Sequence, residues 1–248
     1  VSLVDVVIPL GKRQELINAC LFSLLKTNSG FGKYVSIILV NNFGLEEKSL
    51  TGGNDFIKVI TPPSPLSGAF ATALAWEQST APYILKLDDD TSFPDCAEGF
   101  IHRFLYLMER RFPGGETAMV GPIMPAASVE QSHEYFNHPI GGGACKVPIL
   151  FTSCALFRKA AMPHWLTDID NKGDDYNVCI TLQEKGWHLV LDQRTFVNHH
   201  GGGNYREAMG EYYHSKQQAD ETQKALLDKF GEIILKKYIA GYNYAEGK

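Results

Sequence analysis

Alternation between two kinds of segment over the first ninety or so residues constrains the fold more than any other feature of this chain. "LVDVVIPLG", "YVSIILVNN", "DFIKVITPP" and "YILKLDDD" are short apolar runs rich in β-branched residues. Between them, "ELINACLFSLLK" and "SGAFATALAWEQST" carry apolar residues at helical spacing. This alternation predicts βαβ units on a parallel sheet, with right-handed crossovers. The expected class is therefore α/β, with a mostly parallel, Rossmann-like central sheet flanked by helices. In open sheets of this kind ligands gather beyond the carboxyl ends of the strands. Pro9, Asn41–Asn42 and Asp88–Asp90 all fall at such ends, so three places in sequence converge on one place in space.

The second half is less regular. Asp95 to Arg110 reads as a helix with Phe100, Phe104, Leu105 and Met108 as its buried stripe, and "TAMVGPIMP" as a strand. Residues 126–147 are polar and Gly-rich and read as a long loop, of the kind that closes over a ligand. "PILFTSCALFRKAAM" returns to strand character, "DYNVCITLQEKGW" is a short helix ended near Gly186, and "HLVLDQRTFVNHHGGG" is a strand ending in histidines. From Glu207 to Tyr238 the chain reads as helical, with Leu226, Leu227, Phe230, Ile233 and Ile234 on its apolar stripe.

Chemistry concentrates in "LDDDTSFP". Adjacent carboxylates repel, and capping the helix that follows needs only one of Asp90, Thr91 or Ser92. Three in a row suit a hard divalent cation, which takes oxygen ligands and neutralises the repulsion while bridging to phosphate. No GxGxxG or GxxxxGK[ST] follows the first strand, so the usual dinucleotide and P-loop arrangements lose support. A second acidic pair, Asp174–Asp175, opens the short helix, where capping again accounts for one acid. His199 and His200 sit at a strand end before three glycines, a pattern that suits a ligand-side loop and a metal ligand.

Composition narrows the partners. The 248 residues are 44% hydrophobic and 21% charged with a formal net charge of −5, which disfavours a general nucleic-acid binder. No run approaches the ~18 apolar residues of a membrane span, and the N-terminus reads directly as a strand, without a basic leader. The expectation is a soluble cytoplasmic protein, with room for peripheral membrane contact. The five cysteines include no CxxC pair and read as reduced, mostly buried side chains.

In order and spacing, "VVIPLGKRQELINACLFSLL", "ILVNN", "SGAFATALAW", "YILKLDDDT", "GDDYNVCITLQEKGW" and "FVNHHGGG" resemble the GT-A glycosyltransferases. The closest likeness is to the large inverting glycosyltransferase family 2, over approximately residues 3–203. That resemblance implies a domain over 1–203, with a nucleotide-sugar half (1–95) and an acceptor and catalytic half (96–203), then a helical extension over 204–248 suited to oligomerisation. It implies that Pro9 lies at the lip of the nucleotide pocket and that Asn41 and Asn42 meet the base, where the family commonly has an acid. Asp88 and Asp90 match the outer acids of the DxD motif. Asp88 would lie towards ribose and metal, Asp90 would bind the metal under the diphosphate, and Asp89 would support the donor site. Asp174–Asp175 matches a motif usually written Glu-Asp, with Asp175 at the catalytic-base position. His199 fits the last-strand metal ligand, with His200 as its alternative if the register slips by one.

The implied activity is inverting, Mn2+- or Mg2+-dependent transfer from a nucleotide-diphosphate sugar, UDP-linked by preference, to a glycan or other hydroxyl acceptor. The histidine tilts the metal towards manganese. Tyr135, Phe136, Trp165 and Trp187 are candidate aromatic platforms for the acceptor sugar. Two other readings stand beside it: a nucleotidyltransferase, although "PLGKRQE" is a weak triphosphate loop, and a non-catalytic carbohydrate-binding protein on a transferase fold.

Overall fold

The computed structural model describes residues 2–110, 116–124, 143–169, 174–200 and 216–239. Its centre is an eight-stranded sheet in the order β3-β2-β1-β4-β8-β6-β9-β7. The first four strands in space, β3 (Ile57–Ile60), β2 (Val35–Asn41), β1 (Val4–Leu10) and β4 (Tyr83–Leu87), are parallel. β8 (Cys154–Arg158) runs antiparallel between β4 and β6 (Thr117–Ile123), β9 (His188–Phe196) is parallel to β6, and β7 (Ala144–Lys146) returns antiparallel on the edge. The sheet is thus mostly parallel, as the alternation predicts.

Every residue of β1 is buried, which is why the strand is a continuous apolar run and not an alternating one. Its two faces serve two cores. Val4, Val6, Ile8 and Leu10 pack with Ile17, Leu21 and Leu24 of α1 (Gln14–Thr27) and with Phe100, Phe104 and Met108 of α4 (Phe100–Arg110). Val7 faces the opposite layer with Ala71, Ala75 and Trp76 of α3 (Gly68–Gln78). That layer also holds Val178, Cys179, Ile180 and Leu182 of α5 (Asp174–Glu184), and Leu226 and Leu235 of α6 (Lys216–Tyr238).

Differences from the sequence reading have local causes. The helix expected from Asp95 starts at Phe100, because Asp95–Ala97 form a separate 3-10 turn and Gly99 adopts φ +70°. Ile101 is buried in its stripe, whereas Leu105 is only partly covered. A short helix, α2 (Glu47–Thr51), fills part of the β2–β3 connection. In α6, Gly231 (φ 73°, ψ 159°) breaks the helical path and shifts the phase of the apolar stripe, so Leu235 turns inward and Ile233 outward. Residues 125–142, including Tyr135 and Phe136 and most of the proposed closing loop, lie outside the described residues. So do residues 201–215.

At the amino end of β1, Asp5 is buried and accepts hydrogen bonds from the hydroxyls of Ser2 and Ser36, from Ser79 Oγ at 2.7 Å and from the Ala81 N–H at 3.4 Å. Burial opposes its ionisation, but these donors outweigh it and hold the carboxyl below the usual range. This anchor ties β1, β2 and the α3–β4 connection at the end opposite the acidic cluster. No helix among the described residues is long and apolar enough to cross a membrane.

Candidate metal centre

The three aspartates occupy a tight turn that sends each side chain to a different partner. The Asp88 N–H donates to the Ser153 carbonyl at 2.8 Å, which extends the β4–β8 ladder by one residue beyond Leu87–Cys154. Thr91 then closes the turn, its N–H and hydroxyl both donating to the Asp88 carbonyl, at 3.2 and 2.8 Å. Asp88 Oδ1 accepts from the buried ammonium of Lys86 at 2.5 Å. Asp89 turns back under the first strand and accepts the Gly11 N–H at 2.6 Å, fixing the loop that follows Pro9. Asp90 faces His199 and Arg13.

The histidine arrives through a second, two-stranded sheet that the sequence reading did not anticipate. β5 (Thr91–Ser92) pairs antiparallel with β10 (Asn198–His199), and the His200 N–H donates to the Asp90 carbonyl at 2.9 Å. This register sends the two imidazoles to different partners. His199 Nε2 lies 3.0 Å from Asp90 Oδ1 and 3.7 Å from Asp88 Oδ2, whereas His200 Nε2 meets Ser92 Oγ at 2.8 Å. One ligand atom each from Asp88, Asp90 and His199 lie within 4.8 Å of one another. Two carboxylates and an imidazole fit a divalent cation of the magnesium–manganese type. The Cys20 thiol sits behind them, and burial pushes it up to about 12, so it stays neutral and adds no thiolate to the set.

The electrostatics match this chemistry. Burial works against a charged Asp88, but Lys86 and His199 overcome it and hold its carboxyl at about 2. Burial likewise opposes a charged His199, yet Asp90 and Asp88 raise it above its ordinary value.

The second acidic pair opens α5. The Thr152 N–H donates to Asp175 Oδ1 at 2.6 Å, and Asp174 Oδ1 accepts the Asp175 N–H at 3.0 Å. Thr152 adjoins Ser153, whose carbonyl receives the Asp88 N–H, so one short segment before β8 fixes both acidic groups. Burial raises Asp174 well above the usual carboxylate range, with repulsion from Asp175 adding to it, and burial raises Asp175 as well. Lys86 acts electrostatically on Asp88, Asp174 and Asp175 alike.

Asn41 and Asn42 stand at the end of β2, with their amides engaged by backbone. Asn41 Nδ2 donates to the Leu45 carbonyl at 2.8 Å while its Oδ1 accepts the Leu45 N–H at 2.9 Å. Asn42 bridges in the same way to Leu66, at 3.3 Å in each direction. They hold the chain after β2 and the segment before α3 in place. Trp165 packs in the core against Trp76 and Phe157, with ring centroids 5.0 and 5.6 Å away, while Trp187 is half-buried.

Sequence reasoning missed Lys86, although a lone cation inside an otherwise apolar strand was a usable signal. It also missed the backbone donors Gly11 and Thr152, for which no side-chain pattern exists.

No family model matches the chain, and no curated protein matches it in sequence. Solved structures do match in shape. A mannosyltransferase, PcManGT from Pyrobaculum calidifontis, in complex with GDP-Man and Mn2+, is 13% identical with a TM-score of 0.65, over 95% of this chain and 67% of that one. S. aureus TarS 1–349, in complex with UDP-GlcNAc, is 13% identical with a TM-score of 0.63, over 91% of this chain and 66% of that one. GalNAc-T7, with UDP, GalNAc and Mn2+, is 11% identical with a TM-score of 0.60, over 95% of this chain and 58% of that one. The chain thus spans about two thirds of the first two structures and less of the third. With three glycosyltransferase structures sharing its architecture, the chain has the GT-A glycosyltransferase fold.

Proposed function

We propose that this chain transfers a sugar from a nucleotide-diphosphate donor to a hydroxyl of a glycan or related acceptor, with inversion at the anomeric carbon. The observation that carries the reading is the Asp88–Asp90–His199 set, at the carboxyl end of the sheet in a GT-A fold. Two of the similar structures hold Mn2+ and two hold UDP or a UDP-sugar, which supports manganese and favours a uridine donor. When bound, the cation would act as a Lewis acid on the departing diphosphate.

The chain's own residues do the rest. Asp88, Asp90 and His199 would hold the cation, and Asp89 fixes the loop after Pro9, at what would be the lip of the nucleotide pocket. Asn41 and Asn42 hold the loops that would form its wall, leaving the base to be recognised by shape and backbone. Asp175 takes the proton of the acceptor hydroxyl as its oxygen attacks. Burial raises its proton affinity, which makes it a better base than an ordinary carboxylate, while the hydrogen bonds from Thr152 and the charge of Lys86 oppose that rise.

Product analysis tests the class. Incubation with donor, Mn2+ and a hydroxyl acceptor should release a nucleoside diphosphate and give a glycoside of inverted configuration by NMR. Pyrophosphate among the products would place the protein with the nucleotidyltransferases. A product of retained configuration would overturn the single displacement.

A further inference from the structure

The C-terminal helix grips α5 at both ends. Near the first turn, Lys229 Nζ donates to Asp168 Oδ2 at 2.5 Å and to Asn177 Oδ1 at 2.6 Å. Asn177 Nδ2 donates to Asp168 Oδ1 at 3.0 Å, closing a three-residue ring. Asn177 is fully buried and stands two positions after Asp175. At the far end, Glu184, the last residue of α5, accepts from Lys237 Nζ at 2.9 Å and from Tyr238 Oη at 2.7 Å. Beside these ties, Leu226 and Leu235 share a core with Val178, Cys179, Ile180 and Leu182.

A helix held at both ends and packed along one side cannot easily rotate about its axis, and rotation is the motion that would carry Asp175 away from Thr152. We propose that Lys229 is a positioning residue: it locks the first turn of α5 through Asn177 and Asp168, so that the C-terminal helix sets the aim of Asp175. The role of Asp175 rests on the transferase reading, but the clamp does not. Proximity effects give the clamp functional weight, since a displacement of about 1 Å in a reacting group costs on the order of a hundredfold in rate.

The test is Lys229→Met in the full chain, with Lys229→Arg beside it. Asp168 is about half exposed, so the loss of Lys229 strands no buried charge and the variant should fold. Hydrogen exchange in residues 178–181 should rise by roughly tenfold while exchange in the β1–β4 sheet stays unchanged. Turnover should fall by about a hundredfold with the KM for donor unchanged within twofold. Lys229→Arg should restore most of both effects. Unchanged exchange in α5, or faster exchange with turnover per folded molecule intact, overturns the proposal. The exchange measurement needs no substrate, so a wild-type chain without transfer activity counts against the transferase reading alone while the clamp is still decided.

Discussion

The backbone N–H of His200 donates to the carbonyl of Asp90 at 2.9 Å, yet the imidazole that faces the acids is that of His199. Asp90 stands in the turn before β5 and not in the strand, so its carboxylate reaches the His199 imidazole at 3.0 Å, while the His200 imidazole lies on Ser92 Oγ at 2.8 Å. His199→Ala should therefore weaken Mn2+ binding by about tenfold or more, and His200→Ala by far less. Paramagnetic titration of Mn2+ into each variant measures the difference directly, and equal losses would contradict this arrangement.

Asp175→Asn should lower transfer by about 10²–10⁴-fold, the usual worth of a general base, while binding of nucleoside diphosphate with Mn2+ stays near the wild-type level. Steady-state kinetics paired with calorimetry separate the two effects. Loss of binding in step with turnover would mean that Asp175 belongs to the donor site.

Burial raises both Asp174 and Asp175, so activity should fall on the acid side at a pH above the ~3.9 of an ordinary aspartate. The base works only when ionised, so the rate rises with pH through this limb. Asp174 is raised further than Asp175 and is still neutral while Asp175 ionises, so Asp174→Asn should leave this limb in place. A pH profile of kcat/KM for both proteins checks this.

Asp5 should matter to stability and not to chemistry. Its carboxyl is lowered in the folded chain, so its contribution is present above the unfolded value of ~3.9 and is lost as pH falls through the lower folded value. At pH 7, Asp5→Asn should destabilise the fold by about 2 kcal/mol, and the gap from wild type should narrow in acid. Denaturant melts at several pH values read this out.

How much of this was legible in sequence depends on the kind of interaction. The apolar runs of β1, β2 and β4 are buried on both faces, so their pattern declares them, and it places Pro9, Asn41 and Asp88 at one edge. The β5–β10 pairing is two residues long on each side, too short for any periodicity to show, yet it alone brings His199 to Asp90. The donors to Asp89 and Asp175 are backbone N–H groups that every non-proline residue carries, so no residue type marks them. Asn41 and Asn42 read as base-recognising amides because strand-end position was visible and the backbone partners Leu45 and Leu66 were not. The stripe of α6 was misphased at Ile233 because a glycine inside a helical pattern does not reveal whether it kinks.

The most direct test of the central claim is calorimetric titration of the full chain with UDP, GDP, TDP and CMP, in Mn2+ and again in EDTA. The account predicts that one nucleotide binds in Mn2+ and that EDTA weakens it by at least about tenfold, with Asp90→Ala giving the same loss in Mn2+. Nucleotide binding indifferent to both EDTA and Asp90→Ala would contradict the metal-bridged donor site.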